Sequence, residues 1–350
     1  MHALADVRRT NLVTLVARIR EAGIVVFLLL FILYFATRSS AFLTVSNFGD
    51  ILQAIAVLMI VAVGETCVIL ARQIDLSVGS IVGMGAMVVA VLVRDHPAWP
   101  VLVFFLVGLA VGAALGVCNG VLVTFGRLPS IIVTLGTLYV FRGAIVVLST
   151  YTTQSGEVYS QELGASPAFA NAATGTPLGL PNSVIIAALV AVTFASILRS
   201  TRTGRAIYAV GGNPLAARLA GLQVERITLL VFTLSGMLAG LASVLYTSLH
   251  LDITVHEAES FELTVISAVV IGGTNIFGGS GTILGTMLGA FLIGVVQNGL
   301  ETGNINPFWQ QAVYGLAILG AVILDALITR RLQQALRVRA QQKDWARAAA

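Results

Sequence analysis

The side chains that could do chemistry in this chain are few and set among apolar residues. Glu65 lies inside an apolar run, where a bare charge costs roughly 2.5 kcal/mol or more on insertion scales, so it must be protonated, paired or turned toward a polar cavity. Asp75 and Ser77 interrupt the apolar sequence a little further on. Their simplest use is as helix caps that accept backbone N–H bonds at the start of the next span; the other is a broken helix at membrane depth that lines a pathway. Asn119, Gln297 and Asn298 also sit on apolar helical patterns, suited to holding helices together or to passing a polar solute along. Arg142 lies about eight residues, at 1.5 Å each, from the outer end of its run, and is expected to pair internally or to snorkel outward.

Other chemistries lack their spacing. Cys67 and Cys118 lie in apolar runs and indicate neither a disulfide framework nor a metal cluster. His2, His96, His250 and His256 show no HExxH or other ligand pattern, and no nucleophile is spaced with a base. The phosphate-binding P-loop requires Lys followed by Ser or Thr, whereas the only lysine, Lys343, precedes Asp344. The chain is therefore read as no enzyme, with no metal and no cofactor of its own. If it moves a solute, the energy comes either from ATP hydrolysed by another subunit or from an ion gradient, with Glu65, Glu262 or Asp325 as proton carriers.

The elements that hold these residues are membrane helices. Charged residues make up 10% of the 350 and hydrophobic ones 57%, whereas a soluble protein carries about 25% charged residues and needs them for its surface. The composition excludes a cytosolic globular domain and describes an all-α polytopic membrane protein. About ten spans of roughly 20 apolar residues each are expected, near 22–37, 51–71, 77–93, 101–124, 129–149, 182–198, 227–248, 261–274, 282–300 and 309–328. The second, third and eighth are short or carry a charge.

Placing both termini in the cytoplasm puts 17 of the 20 Lys and Arg residues inside and only Arg38 and Arg94 outside, with Arg142 within a span. The first apolar run lacks a small-x-small cleavage site and reads as an uncleaved helix rather than a signal peptide. This gives a cytoplasmic segment 1–21, a transmembrane domain 22–328 with an outer segment 150–181 and an inner loop 199–226, and a basic cytoplasmic tail 329–350.

Two patterns go beyond hydropathy. Gly108, Gly112, Gly116 and Gly120 recur every four residues, one stripe of a helix, and Gly236/Gly240 and Gly281/Gly285/Gly289 repeat the spacing; such stripes let neighbouring backbones approach. Gly79-Ser-Ile-Val-Gly83 also echoes Gly281-Thr-Ile-Leu-Gly285, each following a polar break, and matched breaks in two halves of a membrane protein point to a transport site.

In the inner loop, Asn213 suits an N-cap, Pro214 the first helical position and Gly221 the residue just past the end. A two-turn helix is thereby specified at both boundaries. It is either a surface connector or a rigid element that docks into a groove of another protein.

The string Gly211-Gly212-Asn213-Pro214-x-Ala216-Ala217-Arg218-x-Ala220-Gly221 resembles the coupling loop of the ribose/xylose-type permeases of bacterial ABC importers, a superfamily that also includes branched-chain amino-acid permeases. Three further stretches are similar to that family: Gly64-Glu65-Thr66 through Ile74-Asp75-Leu76-Ser77-Val78-Gly79; Pro129-Ser130-Ile131-Ile132-Val133-Thr134-Leu135 with Arg142-Gly143; and Glu262 through Val270-Ile271-Gly272-Gly273-Thr274 to Gly278-Gly279-x-Gly281. The likeness covers about 47–328 and leaves out the first 20 residues and the basic tail.

The resemblance implies a multi-pass permease of the bacterial inner membrane that pairs with a second permease chain, identical or homologous. ABC ATPase subunits, which hold ATP and Mg, would bind it inside, and a periplasmic substrate-binding protein outside; no nucleic acid is involved. It implies that Asn213, Pro214, Ala216, Ala217, Arg218 and Gly221 form the ATPase-coupling helix. The family often has Gln where Glu65 stands, which favours a hydrogen-bonding role there over an essential carboxylate. The implied cargo is a monosaccharide-like solute, with autoinducer-2, a nucleoside or a branched-chain amino acid as alternatives, and an ion-coupled secondary transporter as the alternative class.

Overall fold

The computed structural model of the chain describes residues 23–153 and 157–303 together with 306, 309, 312, 315, 316 and 319. Among the described residues the fold is helical, with one isolated antiparallel bridge between Val158 and Ile253. The helices are α1 (Gly23–Arg38), α2 (Val45–Leu70), α3 (Val78–Asp95), α4 (Val101–Thr124), α5 (Ser130–Thr152), α6 (Ser160–Leu163), α7 (Pro167–Thr174), α8 (Asn182–Ser200), α9 (Arg202–Gly212), α10 (Pro214–Leu219), α11 (Val224–His250), α12 (Phe261–Ile271) and α13 (Ile283–Thr302).

Seven of these, α2, α3, α4, α5, α8, α11 and α13, are long and apolar enough to cross a membrane. The expected first and eighth spans are the shorter apolar helices α1 and α12, and the tenth, over 309–328, lies outside the described residues apart from isolated positions. At 11 residues α12 covers about half of a bilayer's apolar core at 1.5 Å per residue. The segment before it takes left-handed backbone at Leu251, Ala258 and Ser260. Arg142 of α5 takes up carbonyls of this irregular segment: its guanidinium donates to Glu257 O and Ala258 O, so it pairs internally. Tyr246 of α11 adds a hydrogen bond to Glu257 Oε2 at 2.6 Å.

The glycine stripe decides which helices meet. A Cβ built on Gly112 would lie 2.8 Å from Gly240 Cα, and one on Gly116 would lie 3.1 Å from Gly236 Cα. Gly108 faces the Gly240 carbonyl and Gly120 faces Leu229. All four glycines therefore pack α4 against α11, and α4 can leave its other faces exposed. The centre of the bundle is α2, buried along most of its length and lined by α8, α11, α12 and α13.

The two echoed breaks share a construction. At the end of α2, Arg72 N–H donates to Ile69 O at 2.9 Å and Gln73 N–H to Val68 O at 3.1 Å; at the end of α12, Gly273 N–H donates to Val270 O at 2.9 Å and Thr274 N–H to Val269 O at 3.2 Å. Both are Schellman ends, which recover orphan carbonyls by a left-handed residue, Arg72 (φ 65°) in one and Gly273 (φ 86°) in the other. The breaks also touch: Gly279 N–H donates to Leu70 O at 3.0 Å. On the opposite side α6 and α7 lie within 150–181, where Ser248 Oγ donates to Phe169 O at 2.7 Å and accepts Ala173 N–H at 2.9 Å.

Candidate functional site

Four of the six polar residues singled out in the spans form one buried network around the break between α2 and α3. Asp75 N–H donates to Glu65 Oε1 at 3.1 Å, so the chain leaving α2 folds back along that helix's last turns. Asp75 Oδ1 accepts Ser77 N–H at 2.9 Å and Ser77 Oγ–H at 2.6 Å. Asn119 Nδ2 on α4 donates to Ser77 Oγ at 2.7 Å, and Thr137 Oγ1 on α5 donates to Asn119 Oδ1 at 2.7 Å. Donors thus run Thr137, Asn119, Ser77 in sequence and end on a carboxylate, the arrangement in which successive hydrogen bonds polarise each other.

The helix-cap expectation holds only for Asp75, which accepts a backbone N–H two residues on. Ser77 occupies the N-cap position of α3, but its hydroxyl is taken up by Asp75 and Asn119 and caps no backbone group. The reason is geometric, because the backbone of Ser77 is already helical (φ −88°, ψ −6°) instead of extended. Glu65, Asp75, Ser77 and Asn119 are fully buried, and among the described residues Glu65 Oε2 and Asp75 Oδ2 have no hydrogen-bond partner. None of the ion pairs among the described residues involves either carboxylate.

Three contributors escaped the sequence reading as site residues. Thr137 closes the relay; Thr134 Oγ1 accepts Leu76 N–H at 3.1 Å; Ser130 Oγ accepts Ile74 N–H at 3.3 Å. Their signal was available: Ser130, Thr134 and Thr137 fall on one face of α5 at helical spacing. Gln297 and Asn298 stand apart from this network. Asn298 exchanges hydrogen bonds with Asn47 at 2.9 and 2.8 Å, clasping α13 to the start of α2, and Gln297 donates to Glu301 at 3.4 Å.

The second candidate site is α10. Asn213 Oδ1 accepts Ala216 N–H at 3.0 Å, Pro214 takes the first helical position, and Gly221 (φ 85°) closes the helix with N–H bonds from Gly221 to Arg218 O and from Leu222 to Ala217 O, both 3.0 Å. Arg218 pairs with Glu225 at the head of α11. Ala217, 4% exposed, turns toward the protein. The free face carries Leu215 and Leu219, 68% and 82% exposed and one helical turn apart, flanked by Ala216 and Arg218. Isolated leucines on a helix this short and this firmly capped suit an apolar groove on another protein.

Comparison with known proteins gives the same class. The family described as "Branched-chain amino acid transport system / permease component" matches residues 47–322. The ribose import permease protein RbsC of Escherichia coli (strain K12) is 37% identical over 309 residues, 88% of this chain and 94% of the relative. The D-allose transport system permease protein AlsC of the same strain is 37% identical over 289 residues, 83% of this chain and 86% of the relative. The autoinducer 2 import system permease protein LsrC of Enterobacter sp. (strain 638) is 36% identical over 296 residues, 85% of this chain and 82% of the relative. No solved structure matches.

Proposed function

Since the chain belongs to the family of transport-system permease components, we propose that it is the membrane-spanning subunit of a binding-protein-dependent ABC importer of the bacterial inner membrane. It carries a monosaccharide-like solute while a partner subunit hydrolyses ATP. The relatives named for ribose, D-allose and autoinducer 2 support a small polyhydroxylated cargo. The full chain has ten spans with both termini in the cytoplasm, in keeping with the sorting of its arginines. Its partners are ATPase subunits inside, a periplasmic substrate-binding protein outside and a second permease chain, identical or homologous.

The observation that carries this reading is α10: a capped two-turn helix, in the loop richest in arginine, that presents Leu215 and Leu219 outward. ATP binding draws the ATPases together and moves the two docked helices, and the permease cavity opens toward the binding protein. The break at 71–77 supplies the polar part of the path. Closed, its hydrogen bonds are spent on Asp75, Ser77 and Asn119; opened, those groups meet the hydroxyls of the solute. Selection rests with the binding protein, so few such groups are needed. The reading is tested by solute uptake into vesicles holding the whole transporter, with the ATPase inactivated by mutation and a proton gradient maintained. Uptake is expected to stop, and continued uptake would make this an ion-coupled carrier.

A further inference from the structure

The helix that precedes α10 has no role in the reading so far. α9 runs straight into α10 through the single extended residue Asn213 (φ −158°, ψ 98°). Its last turn is seated where the two breaks meet. A Cβ on Gly211 would lie 2.7 Å from Gly279 N and 2.8 Å from Leu70 C, so only glycine lets α9 reach this point. Gly279 N–H is the donor to Leu70 O, one of the carbonyls that α2 cannot satisfy within itself. Gly278 (φ 85°) approaches Arg72, and a Cβ there would be 2.8 Å from the Arg72 Cβ. One turn back on α9, Tyr208 Oη donates to Gly281 O at 2.8 Å. Burial pushes the Tyr208 phenol up to about 12, so it stays a donor at any pH the cell presents.

These contacts are mostly backbone against backbone, with one part-buried hydroxyl as a pin. Such surfaces cannot slip past each other by changing rotamers, so displacement at one side is passed to the other. Leu70 is joined through the Schellman turn at Arg72 to Asp75, whose N–H and carboxylate hold the polar network. We propose that α9 transmits the movement of α10 to the 71–77 break, and that Tyr208 and Gly211 are the positioning residues of that link. The inference rests on α10 being the ATPase-docking helix, and adds that the motion enters the bundle at Leu70 and Gly279 as well as along α8 and α11.

The test uses the complete transporter, permease with ATPase and binding protein, in proteoliposomes. Tyr208→Phe removes only the pin. It should leave permease yield and ATPase co-purification at wild-type level and lower uptake per ATP hydrolysed by about fivefold, the effect of one hydrogen bond lost from one of two states. Gly211→Ala should do the same more severely, whereas Gly212→Ala, whose Cβ would meet nothing within 4 Å, should keep wild-type coupling. Wild-type uptake per ATP in Tyr208→Phe overturns the proposal, and that variant decides the matter if Gly211→Ala does not accumulate. A wrong reading of α10 would show itself differently, as ATPase co-purification unaffected by charges at Leu215 and Leu219.

Discussion

Asn119 donates its side-chain N–H to Ser77 Oγ at 2.7 Å, and this single bond ties the fourth helix to the break between the second and third. On its other side the same amide accepts from Thr137. Replacing Asn119 by Ala removes two buried hydrogen bonds, worth about 1 kcal/mol each, while Ser77 Oγ keeps Asp75 as its acceptor and Thr137 Oγ1 can turn to Thr134 O. Asn119→Ala should therefore lower the Tm of the detergent-solubilised permease and reduce uptake. A variant with wild-type Tm would mean that these hydrogen bonds do not stabilise the folded protein.

Glu65 is the residue on which the two transport classes divide. Its Oε1 takes the Asp75 N–H, and among the described residues its Oε2 is buried without a partner and no cationic side chain forms an ion pair with it. A neutral amide keeps the acceptor that Asp75 needs and avoids burying a charge. Glu65→Gln is expected to transport at wild-type rate within about twofold, since no hydrogen bond is lost. Glu65→Ala, which deletes the acceptor, should be impaired. Loss of uptake in Glu65→Gln, with the protein folded, would instead mark a carboxyl that must exchange a proton.

On α10 the direction of each side chain decides the outcome. Leu215 and Leu219 face outward and Ala217 faces the protein. Leu215→Glu with Leu219→Glu should leave the permease folded and abolish co-purification of the ATPase, because two charges cannot enter an apolar groove unpaired. Ala217→Glu is expected to lower the yield of folded permease as well, since it forces a carboxylate into the seat of α10. A wild-type yield for Ala217→Glu together with a lowered yield for the double variant would show that α10 sits the other way round.

How far these features were legible in the sequence follows from how local they are. The boundaries of α10 depend on Asn213, Pro214 and Gly221, whose conformational preferences are their own, and they stand in the structure as read. Which side of α10 is free depends on the packing of α9 and α11, so the sequence placed Ala217 on this helix without showing that it turns inward. Glu65, Asp75, Ser77 and Asn119 were conspicuous because polar residues in apolar runs are rare. Thr134 and Thr137 were not, because a threonine in a membrane helix can satisfy its hydroxyl on its own backbone, as Thr134 partly does with Ser130 O at 2.9 Å. The short eighth span starts at Phe261 in the structure as in the sequence and ends at Ile271, closed by the turn at Gly273. The Arg142 clamp on the segment before it joins residues far apart in the chain and was not legible.

The α4 glycine stripe gives a prediction whose control lies in the same bundle. At Gly112 the neighbouring atoms are Gly236 O and the N and Cα of Gly240, so an added methyl meets main chain that cannot rotate away. Gly236 answers from the other side, where a Cβ would lie 2.8 Å from Gly116 Cα. Relief is possible only by moving α4 and α11 apart, which strains the packing by about 1–3 kcal/mol for an overpacked core and by more for a larger side chain. Gly136, on the exposed face of α5, has nothing within 4 Å of the same built atom. Gly112→Ala should thus lower the folded yield and the Tm, Gly112→Leu should lower them further, and Gly136→Ala should leave both unchanged. If Gly112→Leu accumulates with wild-type Tm, α4 and α11 do not meet along this stripe, and the path by which Asn119 reaches the break must be redrawn.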